Sequence, residues 1–300
     1  MKRAIKNSSL IIMMLTLFLS ACNQNGNQKK SAIHFVDSNG TQLDLDTIPQ
    51  RIISCSPAIT EVMFALHDDH RLVGRTDYCN YPPEVVNISS IGGLRNPSLE
   101  KMLSLKPDLI LASTHFKNET AKQIDQLGMP FAWLMDQKSI EGAGSLILNI
   151  GKLIGSEEKA DSLWKFIQAD MKHTVDLIPK SVKKPTVYYV VGFGKGGDHT
   201  AGGNTFISEL INKAGGINIA QDVKGWNYNL ETLMQKDPDI IILPPTLKES
   251  FCQHEHYKEL KAVKNKHVYA VNHHMVQLNG PRIHLALRMF AEIFYPDVEF

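Results

Sequence analysis

The sequence predicts an α/β chain of two similar parallel-sheet lobes, joined by a single long backbone helix, with a ligand cleft between the lobes. Three observations carry this. One pattern occurs twice: Leu99-Glu100, Pro107-Asp108 and the apolar run Leu109-Ile110-Leu111 return as Leu230-Glu231, Pro238-Asp239 and Ile240-Ile241-Ile242-Leu243. In each half, short apolar runs alternate with segments of helical spacing, the order that builds a mostly parallel sheet covered on both faces. Between the halves, Ala160, Leu163, Trp164, Ile167, Met171, Val175 and Ile178 recur in steps of three and four, the spacing of one helix face.

The N-terminus reads as an export signal. Lys2, Arg3 and Lys6 precede an apolar stretch from Ser8 to Leu19, which falls short of the roughly 20 residues that a permanent membrane span needs. Its ending, Leu19-Ser20-Ala21-Cys22, resembles a bacterial lipobox. Residues 1–21 are therefore expected to be removed, leaving Cys22 as a lipidated N-terminus, although an ordinary secretory signal with an incidental cysteine has the same outline. Several acyl chains, at about 0.8 kcal/mol per buried methylene, hold a protein on a membrane. This places the chain in the bacterial cell envelope, facing the periplasm or the outer face of the cytoplasmic membrane. Residues 22–32 are polar up to Lys30 and read as a flexible tether.

The first lobe is expected over residues 33–154. Ile33 to Leu45 reads as two short strands about a turn at Ser38-Asn39-Gly40. Strands follow at Ile52–Ser54, Leu72–Gly74, Leu109–Ala112 and Phe131–Met135, with helices at Pro57–Leu66 and Leu99–Leu105; the double proline Pro82-Pro83 marks a loop. Residues 155–179 form the connector, opened by Ser156 as a cap with Glu157 and Glu158 in the first turn, and closed by Pro179. About 23 helical residues span roughly 35 Å, the width of a small domain. The second lobe, residues 180–300, repeats the order: a strand at Val187–Val191, helices at Phe206–Ala214 and Leu230–Gln235, and a strand at Ile240–Leu243.

Composition removes some functions. The 32 basic and 31 acidic side chains nearly cancel, so no electrostatic footprint for nucleic acid exists. With Cys22 lipidated, Cys55, Cys79 and Cys252 remain. Cys55 ends an apolar run and reads as a buried small hydrophobe, which leaves Cys79 and Cys252 as the one available pair, and nothing in the sequence says whether they meet. Cys-x-x-Cys, Gly-x-Ser-x-Gly and His-Glu-x-x-His are all absent, so no catalytic residue, resident cofactor or metal centre is assigned. Gly192-Phe-Gly-Lys-Gly-Gly197 lacks the Gly-Lys-Ser/Thr of a phosphate loop and is expected as a loop at the cleft mouth.

Ser98 and Asn229 are good N-caps and set Glu100 and Glu231 at the second helical position, where a carboxylate gains about 0.3–1 kcal/mol from the helix dipole. Such glutamates also serve simply as helix starters. Strand-following loops should line the cleft: Asp77 to Tyr81, and the segments carrying His115, His273 and His274, whose imidazoles are capable of ligating cobalt, iron or zinc. His254 and His256 lie in a polar surface segment.

A family resemblance joins these residues. Arg51 to Glu61 (RIISCSPAITE), Leu72 to Pro83 (LVGRTDYCNYPP) and Asn96 to Lys101 with Leu105 to Leu109 resemble the first lobe of the periplasmic-binding family that serves ABC importers of vitamin B12, iron-siderophores and haem. Thr200-Ala-Gly-Gly, Phe206 to Ile211 and Ala214 to Asn218 are similar to its second lobe, and Gly280-Pro-Arg-Ile283 to its closing segment. The resemblance covers roughly residues 45 to 295 and implies two lobes on one long helix. It also implies that Glu100 and Glu231 meet arginines of the two permease subunits, which work with their ATPase subunits. Tyr78 aligns with a tyrosine that contacts the corrin in B12-binding members, and Trp226 falls where those members place a tryptophan. Other aromatic positions of those members appear here as Leu94 and the Ser113–His115 stretch.

The expected ligand-binding set is thus Tyr78, Trp226, His115 and Arg282, with Arg75 and Arg95 as further partners for an anionic siderophore or haem propionates. Arg282 follows a proline in a tight turn and also reads as structural. The cargo expected first is a corrinoid, then an iron-siderophore or haem, then zinc or manganese. The contrasting reading, an exported hydrolase, lacks a motif.

Overall fold

In the computed structural model the described residues are 33–135, 139–194 and 196–300. Cys22, the signal segment and the tether lie outside them. No helix among the described residues is long and apolar enough to cross a membrane.

The first lobe opens on the hairpin β1 (Ile33–Val36) and β2 (Gln42–Leu45), antiparallel as expected. Asp37 fastens it to the lobe, its carboxylate accepting the Asn39 and Thr41 amides within the turn and the Trp133 amide at 3.1 Å. Next come β3 (Ile52–Ser54), α1 (Pro57–Ala65), β4 (Leu72–Arg75), α2 (Leu99–Ser104), β5 (Leu109–Ala112), α3 (Asn118–Gln126) and β6 (Phe131–Trp133). The four strands β4-β3-β5-β6 form one parallel sheet.

Helices α4 (Ile140–Leu153) and α5 (Glu157–Leu177) follow, α5 being the predicted connector. They pack closely because glycine leaves room: a Cβ on Gly144 would sit 2.4 Å from the Trp164 ring, and one on Gly151 would sit 2.3 Å from Ala160. Ser156 does not cap α5 with its side chain. Its hydroxyl instead donates to the buried Asp68 at 2.7 Å, which also takes Lys159 at 3.1 Å and Arg71 at 3.2 Å. Satisfying a buried carboxylate outweighs a cap that water is able to replace.

The second lobe comprises β7 (Thr186–Gly192), β8 (Asp198–Thr200), α6 (Phe206–Lys213), β9 (Ile217–Asn218), β10 (Asn227–Tyr228), α7 (Leu230–Lys236), β11 (Ile240–Leu243), α8 (Pro245–Gln253), α9 (Lys261–Lys264), β12 (Val268–Ala270), α10 (His273–Gln277) and α11 (Ile283–Phe294). Strands β9, β7, β11 and β12 are parallel, but β8 runs against them, pairing antiparallel with β7 and with β10. The glycine-rich turn produces this difference from the first lobe. Gly194 and Gly197 take φ of 100° and 91°, a region that glycine enters without a Cβ penalty, and the chain doubles back from β7 into β8. That turn is a hairpin and not the cleft-mouth loop expected: Phe193 packs edge-on against Phe251 and Tyr257.

The duplicated Pro-Asp pattern has a structural cause in both lobes. Lys106 and Asp237, each preceding the proline, take left-handed φ of 47° and 39°. The residue after the proline, an aspartate, then reaches the start of the first parallel strand of its lobe, β3 or β7. Asp108 accepts the Gln50 and Arg51 amides at 2.7 and 2.8 Å, and Asp239 accepts the Thr186 amide and hydroxyl at 2.8 and 2.7 Å. In return the aspartate amides donate to the carbonyls of Arg51 and Thr186.

Strand alternation divides the interior. Ile52, Leu109 and Leu111 on one side, and Val187, Tyr189, Ile240 and Ile242 on the other, enter one continuous apolar cluster with Ile147, Ile167 and Phe290 of α4, α5 and α11. Their strand neighbours Ile53 and Ile110 join a cluster on the outer face of the first sheet. Tyr188, Val190, Ile241 and Leu243 do the same on the second. Strands buried on both faces read as unbroken apolar runs for this reason.

Burial would raise the Asp239 carboxyl, but the Thr186 hydrogen bonds and Lys261 pull it down to about 2. A depressed carboxylate contributes stability above its unfolded value of about 3.8, and that contribution is lost as pH falls from about 4 towards 2. Asp239→Asn is expected to cost about 1–2 kcal/mol at neutral pH, screened by its partial exposure. The difference from wild type in thermal melts should close on acidification to about pH 2. Gly203 offers a second check, because a Cβ there would fall 1.9 Å from the Gln221 carbonyl oxygen. Gly203→Ala is expected to lower stability by about 1–3 kcal/mol, read from a denaturant melt.

Candidate functional site

The carboxyl ends of the strands in both lobes converge on one cavity of about 620 Å³. From the first lobe it is lined by Ser56, Pro57 and Ala58 at the head of α1, by Tyr78, by Leu94 and by His115. From the second it takes Thr205, Phe206 and Ile207 at the head of α6, Trp226, His273, His274 and Gln277 to Asn279. The heads of α1 and α6 thus bring two positive helix-dipole ends to the cavity, one per lobe. This placement follows from the rule that open α/β sheets bind beyond their strand ends.

Tyr78 projects from the loop after β4. The loop is held by Asp77, whose amide donates to the Gly92 carbonyl at 2.8 Å and whose carboxylate accepts the Ser90 hydroxyl at 2.5 Å. The next residue, Cys79, is a buried plug whose sulfur contacts the Thr60 and Thr76 hydroxyls at 3.2 and 3.4 Å. Tyr78 itself is 56% exposed, an aromatic ring presented to solvent by a buried neighbour.

Trp226, 44% exposed, is placed by backbone contacts. The Thr200-Ala-Gly-Gly motif lies against residues 221–226: Gly202 and Gly203 donate their amides to the Gly225 and Val223 carbonyls at 2.9 and 2.8 Å, and Thr200 donates to the Trp226 carbonyl at 2.7 Å. A Cβ on Gly202 would come within 2.5 Å of two of these carbonyl oxygens. Glycine therefore permits the crossing that delivers Trp226 to the cavity.

The histidines divide. His115, His273 and His274 line the cavity, the latter two opening α10 under the Asn272 cap. Burial holds His273 below the usual imidazole value, and His274 adds to the effect, which favours the neutral ring; its Nδ1 lies 3.5 Å from the Tyr189 hydroxyl. His254 instead packs on Phe193 and Tyr257 with His256 beside it, away from the cavity. No group of three or more His, Cys, Asp or Glu among the described residues is arranged to hold a metal ion.

Arg282 does not line the cavity. Its Nε and one terminal nitrogen donate to the two carboxylate oxygens of Glu61 on α1 at 2.8 and 2.5 Å, and its guanidinium lies 3.9 Å from the centre of the Tyr81 ring. Burial raises the Glu61 carboxyl above its usual range, an effect that Arg282 partly offsets. The structure thus gives Arg282 the structural role that its tight turn suggested. Arg75 is likewise occupied, by the Thr76 carbonyl and Asp77, and Arg95 is exposed outside the cavity lining. Cys55, Cys79 and Cys252 are free thiols, so Cys79 and Cys252 do not pair.

Glu100 and Glu231 are both exposed near the starts of α2 and α7. The expected caps are present: Ser98 accepts the Lys101 amide and Asn229 accepts the Thr232 amide. Sequence reasoning missed the heads of α1 and α6 as cavity walls. Their signals were present in Pro57 after a strand and in Thr205 before an apolar helix face.

Known proteins share this architecture. A family model described as "Periplasmic binding protein" matches residues 52–273. The uncharacterized ABC transporter substrate-binding lipoprotein YvrC of Bacillus subtilis is 29% identical, over 95% of this chain and 96% of its own. A cobalamin-binding protein of Halobacterium salinarum is 27% identical, over 86% of this chain and 73% of its own. The periplasmic heme-binding protein RhuT of Roseiflexus, solved in apo form, superposes with a TM-score of 0.76 at 26% identity, covering 82% of this chain and 98% of its own. With its two lobes on one long helix and its cavity at the strand ends, the chain belongs to the periplasmic binding protein family.

Proposed function

We propose that this chain captures a corrinoid and delivers it to the permease of an ABC importer, performing no reaction of its own. The observation that carries this is the pair Tyr78 and Trp226, which come from different lobes and line the same apolar cavity. Flat aromatic walls bury large areas of a macrocycle at low entropy cost. The Halobacterium relative, named as a cobalamin-binding protein, supports the same cargo.

A second reading, haem, rests on a specific observation. His115, His273 and His274 border that cavity, and a neutral imidazole is a ligand for iron. RhuT, titled a heme-binding protein, lends support.

Delivery fits Glu100 and Glu231. They occupy matching helices, are exposed, and are paired with no other described side chain. An arginine fork takes a carboxylate through two parallel hydrogen bonds, so two such contacts fix orientation as well as affinity. A lipid on Cys22 would confine this encounter to a membrane surface.

Titration of the purified chain with cyanocobalamin and with haemin, followed by Trp226 quenching and by the cargo's visible spectrum, decides between cargoes. Saturable binding of cobalamin that weakens about tenfold or more in Trp226→Ala and in Tyr78→Ala is the expected result. A haemin-only response with a shifted Soret band, lost in a histidine variant, would transfer the assignment to haem. For delivery, the Glu100→Ala, Glu231→Ala double variant is expected to abolish uptake by cells while binding cargo with unchanged affinity. Normal uptake would remove the docking role.

A further inference from the structure

Arg282 sits where three separate pieces of the cavity wall meet, yet touches none of its open surface. It leaves the turn before α11, just after the cavity residues Leu278 and Asn279. Its bidentate ion pair with Glu61 crosses to the first lobe and ends on α1, whose opening residues Pro57 and Ala58 line the cavity. Gly280 lies against Ala58 and within 3.9 Å of a Glu61 carboxylate oxygen, measured from where its Cβ would be. The turn and the helix are therefore in contact as well as paired.

The third piece is the Tyr78 loop. Tyr81 lays its ring on the guanidinium at 3.9 Å while remaining 42% exposed. Cys79, only 3% exposed, moors the middle of the loop to Thr60 of α1. Tyr78 thus has an anchor in the first lobe at its next residue and an anchor to the second lobe three residues on. A planar guanidinium is able to hold a carboxylate edge-on and an aromatic ring face-on at once, whereas an ammonium has no plane to stack.

We propose that Arg282, with Tyr81 as its partner, is a positioning residue for cargo capture: a latch between the lobes that fixes the Tyr78 wall without touching the ligand. The proposal rests on the reading of Tyr78 as a cargo wall, but the latch itself is testable in the empty protein.

Amide hydrogen exchange across residues 76–88 of the unliganded chain provides that test. Tyr81→Leu, at an exposed site, should raise exchange in this segment about fivefold or more while leaving the strands unchanged. Arg282→Lys should do the same, and Tyr81→Phe, which keeps the ring face, should restore wild-type exchange. In parallel, affinity for whichever tetrapyrrole the wild type binds should fall about fivefold or more in Tyr81→Leu and recover in Tyr81→Phe. Unchanged exchange in Tyr81→Leu would overturn the latch. Weakened binding without increased exchange would also overturn it, in favour of direct contact with the cargo. If the wild type binds neither cobalamin nor haemin, the cargo reading falls and the exchange data still decide the latch.

Discussion

One apolar core that crosses between the lobes is the constraint on which the rest of the molecule depends. The inner faces of both sheets, α4, α5 and α11 contribute to a single cluster, while each sheet's outer face has its own smaller one. Separating the lobes would expose part of that shared core, and apolar surface costs about 25 cal/mol per Å² when returned to water. The cavity is consequently carved between walls that already share a foundation, and does not depend on two bodies meeting around a ligand. Small residues make the foundation dense: Gly144 and Gly151 let α4 lie on α5 more closely than alanine would allow.

Polar contacts then set position where apolar packing gives only proximity. Asp37 fixes the hairpin, Asp68 the head of α5, and Asp108 and Asp239 the starts of β3 and β7. Each is a carboxylate bridging segments far apart in sequence, with amides, hydroxyls or cations as partners. The buried Glu61–Arg282 pair belongs to the same class with different economics. Desolvating both charges cancels much of their attraction, so its value lies in geometry more than in stability.

Much of the fold was legible because its signals are local. Strands such as Ile52–Ser54, Leu109–Ala112 and Ile240–Leu243 are short unbroken apolar runs, and α5 declares itself by period. What escaped depends on partners distant in sequence. Ser156 looked like a cap, but Asp68 takes its hydroxyl. Arg282 looked like a hand for an anionic cargo, but Glu61, 221 positions away, already holds it. The repeated Pro-Asp was visible as a pattern, while its purpose, reaching back to β3 or β7, needed the folded register. The Tyr78 loop and the three cavity histidines were expected at the cleft because they follow strands, and Trp226 only because of the family resemblance, whereas Pro57 and Thr205 were legible as helix starts but not as cavity walls.

The shared core also bears on how occupancy is reported to a partner. When the jaws of a receptor swing widely, an approaching machine is able to sense a loaded state from the outline alone. Here the apolar foundation common to both lobes opposes a wide swing of one against the other. On the proposed role of Tyr78 and Trp226, the message that the cleft is full would then be written at its rim, in the edge of the cargo and in the two rings beside it. Recognition of a loaded carrier would then be a matter of surface chemistry at the mouth, and an empty carrier would compete for the same berth.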